Sequence, residues 1–241
     1  MIAFQGKTYW LIGASEGLGR ALAEELSLEG AELIISARNG ERLASLAAQL
    51  PHTRVLILDV TDEAAVKAAA KSVGAIDGVI YNAGAYEPMA ATDWKADSAL
   101  TVADVNFMGA MRVLGALMPG FVARGSGDIT LVGSLAGYRG LPNAVGYGAS
   151  KAALVSLAET MRHDLKDSGV TVRLVNPGFI KTRLTDKNSF KMPMLMTPEQ
   201  AAGHVIKAMH GRRFRTDFPR PFSWAIRALT FLPDWLIYRG K

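Results

Sequence analysis

The stretch Tyr9-Trp10-Leu11-Ile12-Gly13-Ala14-Ser15-Glu16-Gly17-Leu18-Gly19-Arg20 decides the fold. Its first four residues are apolar and suit a short strand buried on both faces. Three glycines follow within seven positions, and a helical pattern opens at Arg20. Glycine permits a tight turn and lets a phosphate approach the backbone. The amide N–H groups at a helix start then face negative charge. Surface turns also use glycine, so it is the position between strand and helix that points to dinucleotide binding. Gly13, Ser15, Gly17, Leu18 and Gly19 are the expected pyrophosphate contacts.

Outward from this stretch the same grammar repeats. Short apolar runs at 33–36, 55–58, 78–81, 129–132 and 170–175 read as strands, with a weaker run at 213–218. Helical patterns lie between them at 20–29, 41–49, 62–72, 98–118 and 149–166. Alternating strand and helix implies parallel strands joined by right-handed crossovers. One α/β domain, a doubly wound Rossmann-type sheet in a three-layer αβα arrangement, therefore spans 1–241. Asp62 and Thr197 read as helix starts. Thr197 is followed by Pro198 and Gln200, a capping box with proline at the first position, for a helix running to about 209 and ending near Gly211. Residues 186–196 have no clear period, and a loop that long is commonly a lid or binding loop.

The chain has 241 residues, 49% hydrophobic, 20% charged and without cysteine. The apolar fraction excludes a disordered chain. Zero cysteines exclude disulfide scaffolds, thiol nucleophiles, iron–sulfur clusters and thiolate zinc sites. His52, His163, His204 and His210 show no ligand spacing with a carboxylate, so no metal site is expected. The N-terminus lacks the pattern of a signal peptide and no apolar run reaches spanning length, so the expectation is a soluble, cytoplasmic protein. The net charge of +5 divides unevenly: residues 1–206 hold 19 basic and 20 acidic side chains, residues 207–241 hold 8 and 2. The near-neutral body gives no reason to expect nucleic acid as a partner.

Strand ends carry the polar residues. After the second strand comes Ser36-Ala37-Arg38, where an acidic residue would hold the ribose 2′-hydroxyl of NAD. Arg38 can instead pair with the 2′-phosphate of NADP, its alternative being a solvated loop residue. Asp59-Val60 closes the third strand, and its carboxylate either accepts from the adenine amino group or caps the turn before Asp62. Tyr147 and Lys151 lie four apart and share one helix face. An ammonium near a phenol lowers its pKa, which would make Tyr147 usable as a general acid or base. Ser134 ends the 129–132 strand, Asn106 sits inside the preceding long helix although asparagine is not an ideal helix former, and Asn82-Ala83-Gly84 and Asn176-Pro177-Gly178 end two further strands. Such strand ends are where an open α/β sheet places its ligand.

In these motifs the chain resembles the short-chain dehydrogenase/reductase family, in its single-domain branch, from Lys7 to Thr182. Gly13, Gly17 and Gly19 match its GxxxGxG, and Asp59, Asn82-Ala83-Gly84, Asn106, Ser134, Tyr147, Lys151 and Pro177-Gly178 match its later motifs. The resemblance implies a seven-stranded parallel sheet of order 3-2-1-4-5-6-7 and NAD(P)-dependent hydride transfer at a carbonyl or alcohol. It implies that Tyr147 moves the hydroxyl proton, Ser134 holds the substrate oxygen, Lys151 holds the nicotinamide ribose and lowers the tyrosine pKa, and Asn106 anchors a relay water. Ile180 and Thr182 fall beside the nicotinamide, and a homodimer or homotetramer is implied. Four positions depart from the pattern. Ile12 replaces a frequent threonine, Tyr81 a frequent asparagine and Gly133 a frequent serine. Glu16 stands where some NADP-preferring relatives carry a basic residue.

The reading is an oxidoreductase using NADP, with NAD as the alternative, that reduces a ketone or aldehyde. An NAD-linked alcohol dehydrogenase and a non-catalytic nucleotide sensor are the rivals, the latter having no need of the four-residue proton-transfer set. The substrate loop spans 183–196, and its Met192, Met194 and Met196 suggest a lid for an apolar substrate rather than core. The basic segment 212–241 carries Phe214, Phe218, Phe222, Trp224, Phe231, Trp235 and Tyr238, and Phe222, Ile226, Leu229 and Leu232 approximate a helical stripe. Three readings of it stay open: packing on the domain or a sister subunit, covering the pocket, or lying in a membrane interface.

Overall fold

A computed structural model describes residues 4–237, so Tyr238 lies outside the described residues. Seven strands form one parallel sheet: β1 Thr8–Ile12, β2 Glu32–Ala37, β3 Thr53–Ile57, β4 Gly78–Tyr81, β5 Gly127–Val132, β6 Val170–Pro177 and β7 Arg215–Phe218. Their order is β3-β2-β1-β4-β5-β6-β7. The helices are α1 Gly17–Leu28, α2 Gly40–Ala47, α3 Glu63–Val73, α4 Ala96–Ala103, α5 Gly109–Ala123, α6 Val145–Asp164, α7 Pro198–His210, α8 Phe222–Ala228 and α9 Asp234–Ile237.

The unbroken apolar strands are explained by what covers each face. Side chains alternate across a strand. In β1, Tyr9 and Leu11 enter one core with Leu22, Leu26, Leu43, Val205 and Met209, beneath α1, α2 and α7. Trp10 and Ile12 enter the other, with Val66, Val113, Leu117, Leu154 and Met161, beneath α3, α5 and α6. Leu11 is fully buried, and truncating such a residue to alanine costs about 2–5 kcal/mol. Ser36 is the buried polar residue of β2; its hydroxyl accepts from Trp10 Nε1 at 2.8 Å.

Both anticipated helix starts carry side-chain caps. Asp62 accepts from Ala65 N–H at 2.9 Å, and Thr197 and Gln200 form a reciprocal capping box. The expected single helix at 98–118 is longer and interrupted. It runs Ala96–Ala123 with a π-turn at Asp104–Met108 between α4 and α5. By length and composition this run could cross a membrane, yet Val113, Leu114, Leu117 and Phe121 are buried in the core and Asp104 pairs with Arg112 at 2.8 Å. α1 begins at Gly17, one turn before the expected Arg20.

At the N-terminal ends of β1, β5 and β6 a buried cluster joins Tyr9, Asp128 and Arg173. The C-terminal ends carry the glycine stretch, and the chain reverses winding direction between β1 and β4. That switch point opens a crevice above the sheet.

Candidate active site

The floor of the crevice is backbone. Gly13 has φ +90°, and a Cβ there would lie 2.6 Å from Ala83 N. Asn82 Nδ2 donates to the Gly13 carbonyl at 2.8 Å, locking the ends of β1 and β4 together. Ser15 lies in the turn that leads to α1, Gly17, Leu18 and Gly19 form the first turn of that helix, and Glu16, just before it, makes no side-chain cap. The first N–H groups of a helix have no intrahelical partner. They are the groups an anion would meet.

Glu16 is not a bare carboxylate. It accepts from Arg42 on α2 and from Arg183 Nη2 at 2.6 Å. A Cβ on Gly17 would come within 2.8 Å of Thr182 Cγ2, so the glycine turn touches the chain that follows β6. Arg38 is exposed beyond the end of β2. Asp59 Oδ1 accepts from the N–H and hydroxyl of Thr61, at 3.0 and 2.8 Å, so this carboxylate caps its own turn. Against the upward push of burial, these bonds and the charge of Arg38 hold the Asp59 carboxyl below its usual value. Val60 beside it is buried.

Asn106, Ser134, Tyr147 and Lys151 lie around the ends of β4 and β5. Asn106 is fully buried in the π-turn. Its Oδ1 accepts from Ala85 N–H at 2.7 Å, and its Nδ2 donates to Ala85 O at 3.0 Å and to Ser150 Oγ at 2.9 Å. Ser150 donates in turn to the Tyr147 carbonyl at 2.8 Å. Both amide hydrogens of Asn106 are thereby committed, and the side chain fastens α6 to the β4 loop. Tyr81 explains one departure from the family pattern. Its hydroxyl donates to the Val105 carbonyl in the π-turn at 2.5 Å, in space that Gly109 leaves free.

The Tyr147 pKa corrects the sequence expectation. Burial pushes the phenol upward, a hydrogen bond from Ser134 opposes this, and neighbouring Tyr86 adds to the rise. Lys151 does not draw it down in this arrangement. Burial lowers the lysine to about 8, its Nζ donates to Val132 O at 2.9 Å, and it stands 5.8 Å from the Tyr147 ring centroid. The ammonium that was to stabilise a phenolate is itself desolvated. Ser134 Oγ also accepts from Ala136 N–H at 3.1 Å.

Residues 183–196 reach the glycine turn through Arg183 and the loop after β4 through Lys187 and Asn188. A bridge between Ile180 and Met196 pins the base of the loop. Tyr86 stands edge-on to Tyr147 with centroids 5.0 Å apart, and its hydroxyl donates to Asn188 Oδ1 at 2.7 Å. Lys187 donates to Tyr86 O and to Glu87, at 2.9 and 2.6 Å. Pro177 and Gly178 end β6 beside β7, where Gly178 N–H donates to Phe218 O at 2.7 Å. Sequence reasoning missed Tyr86, Ser150 and the Glu16–Arg183 clasp. Tyr86 carried a signal, since it follows Asn82-Ala83-Gly84 by two positions on a strand-end loop. It also missed the links from Asn176 Nδ2 to Tyr138 and Asp217, both at 2.9 Å, behind Ser134. The Asn176 side chain fills the space that a Cβ on Gly133 would need.

Residues 7–192 match the family described as short chain dehydrogenase. An uncharacterized oxidoreductase of Myxococcus xanthus is 34% identical over 236 residues, covering 95% of this chain and 93% of that relative. A short-chain dehydrogenase from Sphingobium yanoikuyae in complex with NADPH is similar in structure, with TM-score 0.85, 26% identity and coverage of 98% and 96% of the two chains. A short chain dehydrogenase/reductase from Burkholderia phymatum in complex with NAD gives TM-score 0.85 at 25% identity, covering 94% of each chain.

Proposed function

As the chain belongs to the short-chain dehydrogenase/reductase family and is an oxidoreductase, we propose that it reduces an apolar ketone or aldehyde with NADPH. The observation that carries this reading is the placement of Tyr147 and Lys151 on one face of α6 against the end of β5, where Lys151 Nζ donates to Val132 O at 2.9 Å and lies 5.8 Å from the Tyr147 ring centroid, beside a glycine turn with no room for a side chain at Gly13.

The residues fit such a cofactor. A side chain at Gly13 would block close approach to the turn, and the start of α1 offers unpaired N–H groups to a pyrophosphate. Gly13, Ser15, Gly17, Leu18 and Gly19 would hold the pyrophosphate, Asp59 and Val60 the adenine, and Asn82, Ala83 and Gly84 the neighbouring ribose. Pro177, Gly178, Ile180 and Thr182 would border the nicotinamide. NADP is favoured over NAD because Arg38 offers a guanidinium where NAD enzymes offer a carboxylate. Glu16 does not oppose this, since Arg42 and Arg183 together outweigh its charge.

When bound, the cofactor supplies the hydride. Tyr147 gives its proton to the substrate oxygen as charge develops there, and Ser134 donates a hydrogen bond to the same oxygen. Carbonyl plus hydride plus proton yields the alcohol. Lys151 would hold the nicotinamide ribose. The Asn106 carboxamide is committed to Ala85 and Ser150, so a relay water that restores the Tyr147 proton takes a main-chain carbonyl of the π-turn. The exposed Phe190, Met194 and Leu195 of the closing loop suit an apolar substrate.

A panel of carbonyl compounds run with NADPH and NADH tests the reading. Larger apolar ketones or aldehydes turn over with NADPH, and Arg38→Ala lowers the NADPH preference by about tenfold or more, the scale of one lost charged hydrogen bond. Turnover confined to small polar ketones, or a preference unchanged by Arg38→Ala, overturns it. Binding of NADPH without turnover of any carbonyl returns the nucleotide-sensor alternative.

A further inference from the structure

We propose that the face bearing the mouth of this site docks on an anionic lipid surface, through the outer side of the C-terminal helical segment and the adjoining tip of the closing loop. The surface stands on its own geometry. Its use, drawing an apolar carbonyl compound from the bilayer, rests on the reductase reading.

The segment from Phe222 to Phe231 is apolar on two sides, and the two sides differ. Phe222, Ile226 and Leu229 are half-buried, and Ser223 is fully buried with its N–H on Pro219 O at 2.9 Å. This stripe holds the segment to the body. Trp224 and Phe231 point elsewhere and remain 59% and 83% exposed. Trp224 lies in α8 and Phe231 in the 3-10 turn Leu229–Phe231 that follows it directly. A large aromatic exposed to that extent has no packing reason to be there.

The inward stripe is tied to the loop through Phe222. The Phe179 ring is 5.8 Å from Phe222 on one side and 5.7 Å from Phe190 on the other, and Phe190 is 53% exposed beside exposed Met194 and Leu195. Arg139, in the loop after Ser134, pairs with Asp234 at the start of α9. The helical segment is thus fastened both to the loop bearing Phe190 and to the loop that follows Ser134.

The charge selects the occupant. Among the described residues, 179–196 and 219–237 carry six basic and two acidic side chains. Arg183, Lys187 and Arg227 are paired with Glu16, Glu87 and Asp217, which leaves Lys181, Lys191 and Arg220, all exposed, as the basic groups of the surface. The Arg220 guanidinium lies 5.2 Å from the Trp224 ring centroid, a cation at the border of an apolar patch. Tryptophan with arginine is the composition that sits at headgroup level, where rings enter the acyl boundary and guanidinium groups reach phosphate. In a symmetric pair of copies the same basic patch would face itself. An anionic bilayer neutralises it.

The test is flotation of the full-length protein with two kinds of vesicle: phosphatidylcholine alone, and phosphatidylcholine mixed equally with phosphatidylglycerol. The wild type floats with the anionic vesicles, stays behind with the neutral ones and is released by salt. Trp224→Ser with Phe231→Ser lowers the anionic partition coefficient by at least about tenfold, as loss of two buried aromatics predicts. Arg220→Gln with Lys191→Gln lowers it and weakens its salt dependence. These positions are exposed, so thermal melts and NADPH titrations of the variants match the wild type. Equal partition of wild type and aromatic variant overturns the proposal. So does sedimentation showing that Trp224 and Phe231 drive self-association without vesicle binding, or capture of an acidic protein by a chain that ignores both vesicles. Flotation with no turnover of any carbonyl sinks the reductase reading and leaves the surface standing.

Discussion

Deleting one oxygen, by Tyr81→Phe, tests how the π-turn beneath the site is held. Tyr81 is fully buried at the end of β4, and its hydroxyl donates to Val105 O at 2.5 Å. Phenylalanine keeps the ring and removes the donor. The loss of one net hydrogen bond and the buried carbonyl left behind together cost about 1–3 kcal/mol. In a chain of this size that lowers Tm by roughly 3–9 °C. Asn106 sits one residue beyond Val105 and is hydrogen-bonded to Ala85 and Ser150, so loosening the turn disturbs the link to the Tyr147 helix. The expected kinetic signature is a fall in kcat of about threefold to tenfold with the NADPH Kd unchanged, as for a misplaced group outside the cofactor contacts. Gly109 supplies the control. A Cβ there would collide with the Tyr81 hydroxyl and lie 2.8 Å from Val60 Cγ2. Gly109→Ala is therefore destabilising in the wild type, despite a helix-propensity gain of about 1 kcal/mol, and less so beside Tyr81→Phe. Calorimetry of the four proteins reads the coupling. A Tyr81→Phe melt and kcat both indistinguishable from wild type would refute the reasoning, as would additive effects in the cycle.

The remaining predictions concern the loop, the lysine and the asparagine. Glu16→Gln frees Arg183, so trypsin cuts within 183–196 faster, while Tm falls by less than about 3 °C because these pairs are exposed; unchanged proteolysis refutes the clasp. The Lys151 pKa is lowered to about 8 by burial, from an unfolded value near 10.5. Between these values the unfolded chain binds more protons, so the lysine's contribution to stability rises with pH across the window. Urea denaturation at about pH 7.5 and 9.5 shows this rise in the wild type relative to Lys151→Met; parallel pH profiles count against it. Asn106→Ala leaves the Ala85 N–H and the Ser150 hydroxyl without their partner, and melts expose a loss of about 2–4 kcal/mol. A loss below about 1 kcal/mol contradicts the anchoring role.

The strands were legible because a sheet covered on both faces needs runs such as 78–81, which match β4 residue for residue. Helix starts at Asp62 and Thr197 were legible because caps are local chemistry. The π-turn was not. A periodicity of 3.6 does not register one inserted residue, and only Asn106, a poor helix former, marked the place. At the site, the polar strand ends were readable in order along the chain. The partners that restrain them were not, because they come from afar: Glu16 meets Arg183 across 167 positions, and Tyr86 meets Asn188 across 102. The Tyr147 pKa was misjudged for a physical reason. Spacing places an ammonium near the phenol, but burial weakens the lysine and raises the tyrosine together. In the C-terminal segment, period gave a stripe of Phe222, Ile226, Leu229 and Leu232, of which the first three are half-buried and Leu232 is exposed, while the exposed side chains of Trp224 and Phe231 emerged only from the structure.

The measurement that bears most directly on the proposed chemistry is single-turnover hydride transfer by Tyr147→Phe, followed by nicotinamide absorbance on the best carbonyl substrate. With the proton donor gone and the ring retained, NADPH binds as in the wild type, and the transfer rate falls by roughly 10²–10⁴-fold, the scale of a lost general acid. A variant that binds NADPH and still reduces the carbonyl at the wild-type rate would contradict the assignment of the proton to Tyr147.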